Sequence, residues 1–312
     1  MVRILSRTDA LSRGVTDSEL QRYCRTSFWR RLRPGRFVSR VEFDALSPLE
    51  RHRVVAEAVL SASTADDAVL SHTSAAVFHG IDILGADLSR VHITRNRSGG
   101  GRRTAHRVVH AAPYAESDVT VIDGFAVTSL ARTIADVARL LSFEDAVCIA
   151  DLAARTTGVT SEEVAAVLDS RPTHPENRKA RRVANFMDGR SESVGESRCR
   201  LVLHELGYAP RLQVQLGDAD GPFARIDFHL FEINTALEFD GRIKYSRLVP
   251  TGQTPSDVAW NEKLREDRIR AGGLQVVRIT WADLENPVRV DGLLRAAAAR
   301  AALSPPPTLT FT

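Results

Sequence analysis

Two acidic residues on neighbouring strand-like segments carry the most specific chemistry in this chain. In Arg225-Ile226-Asp227-Phe228-His229, alternation along an extended strand puts Arg225, Asp227 and His229 on one face and Ile226 and Phe228 on the other. Glu238 and Asp240 oppose Leu237 and Phe239 in the same way. A hairpin through Phe231 to Thr235 brings the carboxylates of Asp227 and Glu238 together. Two converging anions on half-buried strands repel at a cost of about 1 kcal/mol or more unless a cation or a proton relieves them. A hard divalent ion, Mg2+ or Mn2+, supplies that relief, because it prefers one or two carboxylates together with water and phosphate oxygens. Such an ion acidifies a bound water and stabilises charge on a phosphate under attack, so the implied reaction is phosphodiester hydrolysis. Nothing in the residues separates DNA from RNA as the substrate. His229 is either an assisting base or a strand residue at the rim of the site.

The elements that must position these acids follow from periodicity. The pattern predicts a helix at Ser193 to Leu206, strands at Leu212 to Leu216, Ala224 to Leu230 and Ala236 to Phe239, a helix at Ser256 to Ala271 and a strand at Leu274 to Ile279. Gly272-Gly273 ends the last helix, and Val276, Val277 and Ile279 supply a buried strand. This αβββαβ order mixes parallel and antiparallel pairing in one sheet. The charged residues Glu262, Lys263, Arg265, Glu266, Arg268 and Arg270 read as a solvated face with internal pairs, Arg268 being the candidate to approach a substrate phosphate.

Three stretches in this region, Arg225-Ile226-Asp227-Phe228, Leu237-Glu238-Phe239-Asp240-Gly241 and Arg265-Glu266-Asp267-Arg268 with the following Gly272 to Arg278, resemble the PD-(D/E)xK nuclease superfamily, in its very-short-patch-repair endonuclease branch. The resemblance implies a restriction-endonuclease-like fold, with Asp227 as the first metal-binding acid and Glu238 as the acid of the (D/E)xK element. Asp240 stands where that element has lysine, and is a third ligand if no cation replaces it. Lys244 is the basic side chain that the branch offers as the replacement. Glu196 matches the acid that the superfamily places on its first helix, although Ser193-Val194-Gly195-Glu196 also has the spacing of a capping box.

The other end of the chain is rich in arginine. Seven arginines and no Asp or Glu lie between Arg22 and Arg40. Thr16-Asp17-Ser18-Glu19 is a capping box that opens a helix after the turn at Gly14, and Pro34-Gly35 joins two short strands. Helix, turn, helix and basic hairpin make the plan of a winged helix, which grips a DNA backbone with Arg22, Arg25, Arg30, Arg31, Arg33 and Arg36. The alternative is an arginine-rich solvated surface. Gly14 to Arg40 and Val127 to Asp136 resemble the AbiEi-type antitoxins of abortive-infection systems, which implies promoter DNA and a toxin as partners. Arg132 and Asp136, four apart, read as a helical ion pair.

Between these ends, periodicity predicts helices at Arg51 to Ser61, Thr73 to His79, Leu130 to Leu140 and Phe143 to Ala154, with strands at Val91 to Thr94, Arg107 to His110 and Val119 to Val121. The basic loop Arg95 to Arg103 either tracks a phosphate backbone or simply connects two strands. His72 and His79 read as packing or capping residues. The chain as a whole is thus an α+β and α/β multidomain protein. Residues 1–45 form a winged helix-turn-helix, 46–170 a mostly helical module with short strands, 171–190 a linker, 191–304 the nuclease-like domain and 305–312 a tail. Three widely spaced cysteines exclude a disulfide framework or zinc ribbon, and the absence of a long apolar run or signal segment places the protein in the cytoplasm. The function expected is a DNA-binding, metal-dependent endonuclease, or else a non-catalytic regulator or antitoxin that retains a degenerate nuclease fold.

Overall fold

The computed structural model describes residues 2–26, 28–63, 65–83, 85–241 and 254–312. Two compact units divide the chain, Met1–Met187 and Asp188–Thr312. Among the described residues, no helix is long and apolar enough to cross a membrane.

The first unit begins with β1 (Leu5–Ser6), α1 (Arg7–Ser12), α2 (Asp17–Arg25), β2 (Trp29–Arg33) and β3 (Arg36–Ser39). Thr16 accepts from the Glu19 N–H and Glu19 accepts from the Thr16 N–H, so the expected capping box starts α2. Gly35, at φ +75°, makes the turn between β2 and β3 that a side chain would strain. The three strands pair in the order β1-β3-β2 and bury Leu5, Ala10, Leu20 and Phe37.

The same unit continues with α3 (Arg40–Asp44), α4 (Pro48–Leu60), β4 (Ala68–Leu70), α5 (His72–Phe78), β5 (Val91–Arg95), β6 (Arg102–Arg103), β7 (Arg107–Ala111), β8 (Val119–Ile122) and β9 (Phe125–Thr128). Four helices follow, α6 (Leu130–Leu140), α7 (Phe143–Thr157), α8 (Ser161–Asp169) and α9 (Asn177–Phe186). The strands form one mixed sheet, ordered β6-β7-β5-β4-β9-β8, with β5/β7 and β4/β9 parallel. Leu70, Val91, Ile93 and Val127 pack on Ala56 and Val59 of α4 and on Ala75 and Phe78 of α5. This region therefore has more sheet than periodicity indicated, since β4 has three residues and shows no repeat to read. The stretch 171–190, expected to be a linker, contains α9. Asn177 at its start is 5% exposed, and its Oδ1 accepts from Arg139 Nε at 3.0 Å, which anchors the helix to α6.

Arg132 and Asp136 do pair along α6, with Arg132 Nε donating to Asp136 Oδ2 at 2.9 Å. Arg132 also donates to Asp118 at 3.1 Å, and Arg139 donates to the other oxygen of Asp136 at 2.9 Å. Arg132 is only 1% exposed, so these charges are stable in the core only as a set.

The second unit runs α10 (Val194–Glu205), β10 (Arg211–Asp218), β11 (Gly221–Leu230), β12 (Thr235–Asp240), α11 (Pro255–Ala271), β13 (Gln275–Thr280), α12 (Trp281–Leu284), α13 (Pro287–Ala301) and β14 (Thr310–Phe311). The αβββαβ order is present, and the sheet is β13-β12-β11-β10-β14 with only β12/β13 parallel. Residues 305–312 are not a tail. Thr310 and Phe311 pair with Gly217 and Leu216, and Leu309 joins the core with Leu216, Ile269 and Leu274. An apolar run of two residues is too short to announce a strand.

Candidate functional site

Side-chain alternation breaks at the point where the candidate acids lie. On β12, Leu237 and Phe239 pack against the cluster that holds Cys199 of α10 and Leu294 of α13, while Ala236 packs on the opposite cluster with Ile269 of α11. On β11, Ala224 and Ile226 join the α11 side, but Phe228 and Leu230 join the α10 side. Its neighbour β10 changes side at the same level, with Leu212 on one face and Val214 and Leu216 on the other. Gln213, at φ +53°, is the residue that turns β10 over. Ile226 and Phe228 therefore do not share a face, contrary to simple alternation, because the strand pair kinks at Gln213 and Asp227.

The kink gathers polar groups. Asp227 Oδ2 accepts from the backbone N–H of Phe239 at 2.9 Å, so its carboxylate reaches across to β12. Phe228 pairs with Leu237 and His229 with Ala236, a register that sets Asp227 opposite Glu238. From α10, Glu196 Oε2 accepts from Gln213 Nε2 at 2.9 Å and from the Glu192 N–H at 2.8 Å. Ser193 Oγ donates to Glu196 Oε1 at 2.8 Å, so Glu196 caps its own helix and also holds the kink. Gly195 lets α10 lie directly on the ring of Phe239, where a Cβ would stand 1.9 Å from Cε1. Burial pushes the Cys199 thiol far above its usual range, and the nearby carboxylates of Asp227 and Glu196 push it the same way.

Glu238 faces α11. Its Oε1 accepts from Arg265 at 2.7 Å, and Arg278 Nε lies 3.7 Å from Oε2. Burial raises the Glu238 carboxyl above its ordinary value, and Arg265 opposes that rise. Asp240, at the end of β12, is partly buried. Lys244 lies outside the described residues. His229 sits 1% exposed under the stacked ring of Phe311, 4.5 Å away, rather than at a rim. Arg268 makes two 2.7 Å hydrogen bonds to Asp218, which occupies the face expected to meet a phosphate.

In the amino-terminal head the six arginines divide. Arg33 donates to Val59 O at 3.4 Å, and Arg36 donates to Ser61 O at 2.7 Å, so both fasten the hairpin to the carbonyl end of α4. Arg30 lies over the Phe43 ring at 4.8 Å and pairs with Asp44 at 3.4 Å. Arg22 pairs with Glu19 at 3.6 Å. Arg25 and Arg31 are exposed, and with Arg7 they line a concavity of about 430 Å³ between α2 and the hairpin.

Among the described residues, three ligand-bearing side chains come within 4.8 Å of one another only at His72, His92 and His110. His72 was legible only as a packing residue, and His92 and His110 carried no signal, since their spacing in sequence matches no ligand motif. No family model matches the chain, and no curated protein matches it.

Proposed function

We propose that this chain is a nucleic-acid-binding protein whose carboxyl-terminal unit is a restriction-endonuclease-like hydrolase, using Mg2+ or Mn2+ on Asp227 and Glu238 to cut phosphodiester bonds. One observation carries this reading: the register of β11 and β12 sets Asp227 across from Glu238, with Glu196 bonded into the kink beside Asp227. The donors are carboxylate oxygens, which suit a hard divalent ion in kind. When bound, that ion would supply an acidified water and charge stabilisation at the phosphate. The chain's own residues do the rest. The Phe239 N–H fixes the Asp227 carboxylate, and Glu196 holds the kink through Gln213. Arg265, which donates to Glu262 as well as to Glu238, would set the charge on Glu238 beside the ion.

The head has two helices and a three-stranded β1-β3-β2 sheet, the plan of a winged helix without its first helix. In that plan α2 enters the major groove, and Arg25 and Arg31 meet the backbone beside it.

A second reading rests on a different observation. Arg265 and Arg278 already neutralise Glu238, and Asp240 stands where a nuclease of this type has lysine. Those features favour a DNA-binding regulator or antitoxin that keeps the fold without turnover. Incubation with supercoiled plasmid separates the two. The nuclease reading expects nicking with Mg2+ or Mn2+ that Asp227→Ala and Glu238→Ala each abolish while binding persists. Equal cleavage by both variants rejects the site, and binding without cleavage in either ion selects the regulator.

A further inference from the structure

The imidazoles of His72, His92 and His110 meet inside the first unit although none is near another in sequence. His92 on β5 and His110 on β7 lie on the same sheet face, because the parallel register sets His92 against Val108 and Thr94 against His110. Val91 and Ile93 take the apolar face toward α4 and α5, which turns His92 and Thr94 the other way. Nδ1 of His92 is 3.0 Å from Nε2 of His110. His72 enters from the start of α5, its Nδ1 2.9 Å from Ser71 Oγ and its ring stacked on His110 at 3.7 Å.

Three further facts bear on what this cluster is for. His72 adopts φ +52°, a left-handed conformation that costs a residue with a Cβ about 1 kcal/mol or more, and such strain gathers at functional positions. Burial lowers the basicity of all three rings, and for His72 and His92 the neighbouring imidazoles add to it. The hydroxyls of Thr73 and Thr94, each 1% exposed, have no hydrogen-bond partner, and Thr94 is the cross-strand neighbour of His110. A buried hydroxyl left unpaired points to a missing water or ion.

We propose that His72, His92 and His110 form a binding site for one borderline transition-metal ion of the zinc class, with a fourth position for water beside Thr94. An all-imidazole donor set suits zinc, copper, nickel or cobalt and does not suit magnesium or calcium, which take oxygen. The ligand atoms already lie within 4.8 Å of one another, and the Ser71 hydroxyl supplies the outer hydrogen bond that metal-bound histidines ordinarily have. Two stacked rings cannot both direct in-plane lone pairs at one ion. Binding therefore turns His72 or His110 about its Cβ–Cγ bond, a soft torsion. The reading does not depend on the acids of the second unit.

The test is titration of the full, tag-free chain, stripped with a chelator, with Co2+ as a coloured probe and then with Zn2+. One equivalent of Co2+ should give the intense visible absorption of a four-coordinate ion, and Zn2+ should displace it. His92→Asn and His110→Asn should each weaken Co2+ binding about 100-fold, on the scale seen when a metal site loses a supporting group. His106→Asn, an exposed histidine, and the double substitution Asp227→Ala with Glu238→Ala should leave it intact. Zn2+ should also raise the melting temperature of wild type and not of His110→Asn, a comparison that holds even if one variant folds poorly. Absence of the Co2+ band in wild type, or its survival in both histidine variants, overturns the proposal and leaves three neutral packing histidines.

Discussion

Gly195 shows how much one missing Cβ decides. An alanine there would drive its methyl into Phe239, so Gly195→Ala should cost about 1–3 kcal/mol as an overpacked core and should shift Glu196 off the kink. Urea melts measure the first effect and plasmid nicking the second; a variant as stable as wild type would show that the Phe239 ring simply moves aside. Glu57 makes a different residue-level case. It is 5% exposed, and burial raises its carboxyl above the ordinary value, with Arg53 opposing. The unfolded chain ionises this group near about pH 4.3. The folded one does so at higher pH, so ionisation disfavours folding at neutral pH and has no effect once both states are protonated. Glu57→Gln should accordingly raise the melting temperature at pH 7, with the gain vanishing as the pH falls below about 4. A lowered melting temperature at pH 7 would mean that the contact with Arg53 outweighs burial. Neither residue declared its role beforehand: Gly195 stood only inside the cap spacing Ser193-Val194-Gly195-Glu196, and Glu57 only inside the helix expected at Arg51 to Ser61.

At the element scale, one count of arginines merged two sets: Arg33 and Arg36 fasten the hairpin to α4, while Arg25 of α2 and Arg31 of β2 are exposed. Arg25→Ala or Arg31→Ala should weaken DNA binding on all sequences and reduce the salt slope by about 1 each. Arg33→Ala and Arg36→Ala should instead lower stability, because these side chains bind carbonyls at the end of α4. Equal salt slopes for all four variants would refute the division. Along α6, Asp136→Asn should cost about 3–5 kcal/mol by leaving the buried guanidinium groups of Arg132 and Arg139 short of an anion. Elements with strong local signals were legible: α2 from Thr16 and Glu19, β10 to β12 from alternating apolar residues, β13 from its apolar run, the Arg132–Asp136 pair from its spacing. The kink at Gln213 was not, since a positive φ at glutamine has no signature in composition. The histidine cluster was not either, because it exists only once parallel pairing sets β5 beside β7.

At the scale of the whole molecule, two units with separate cores should unfold separately. Leu309→Ala, which empties a place against Leu216, Ile269 and Leu274, should cost about 2–5 kcal/mol. In calorimetry it should lower one transition and leave the other in place; a joint shift of both would show that the units melt as one. The same terminal segment has another effect. Thr310 and Phe311 hydrogen-bond along the outer side of β10, and the Gln215 and Thr312 backbones exchange two further bonds there. An uncovered strand margin recruits strands from other molecules. Residues 310–312 thus cover that margin of β10, and removing them should turn a well-behaved solution into one that clusters as concentration rises.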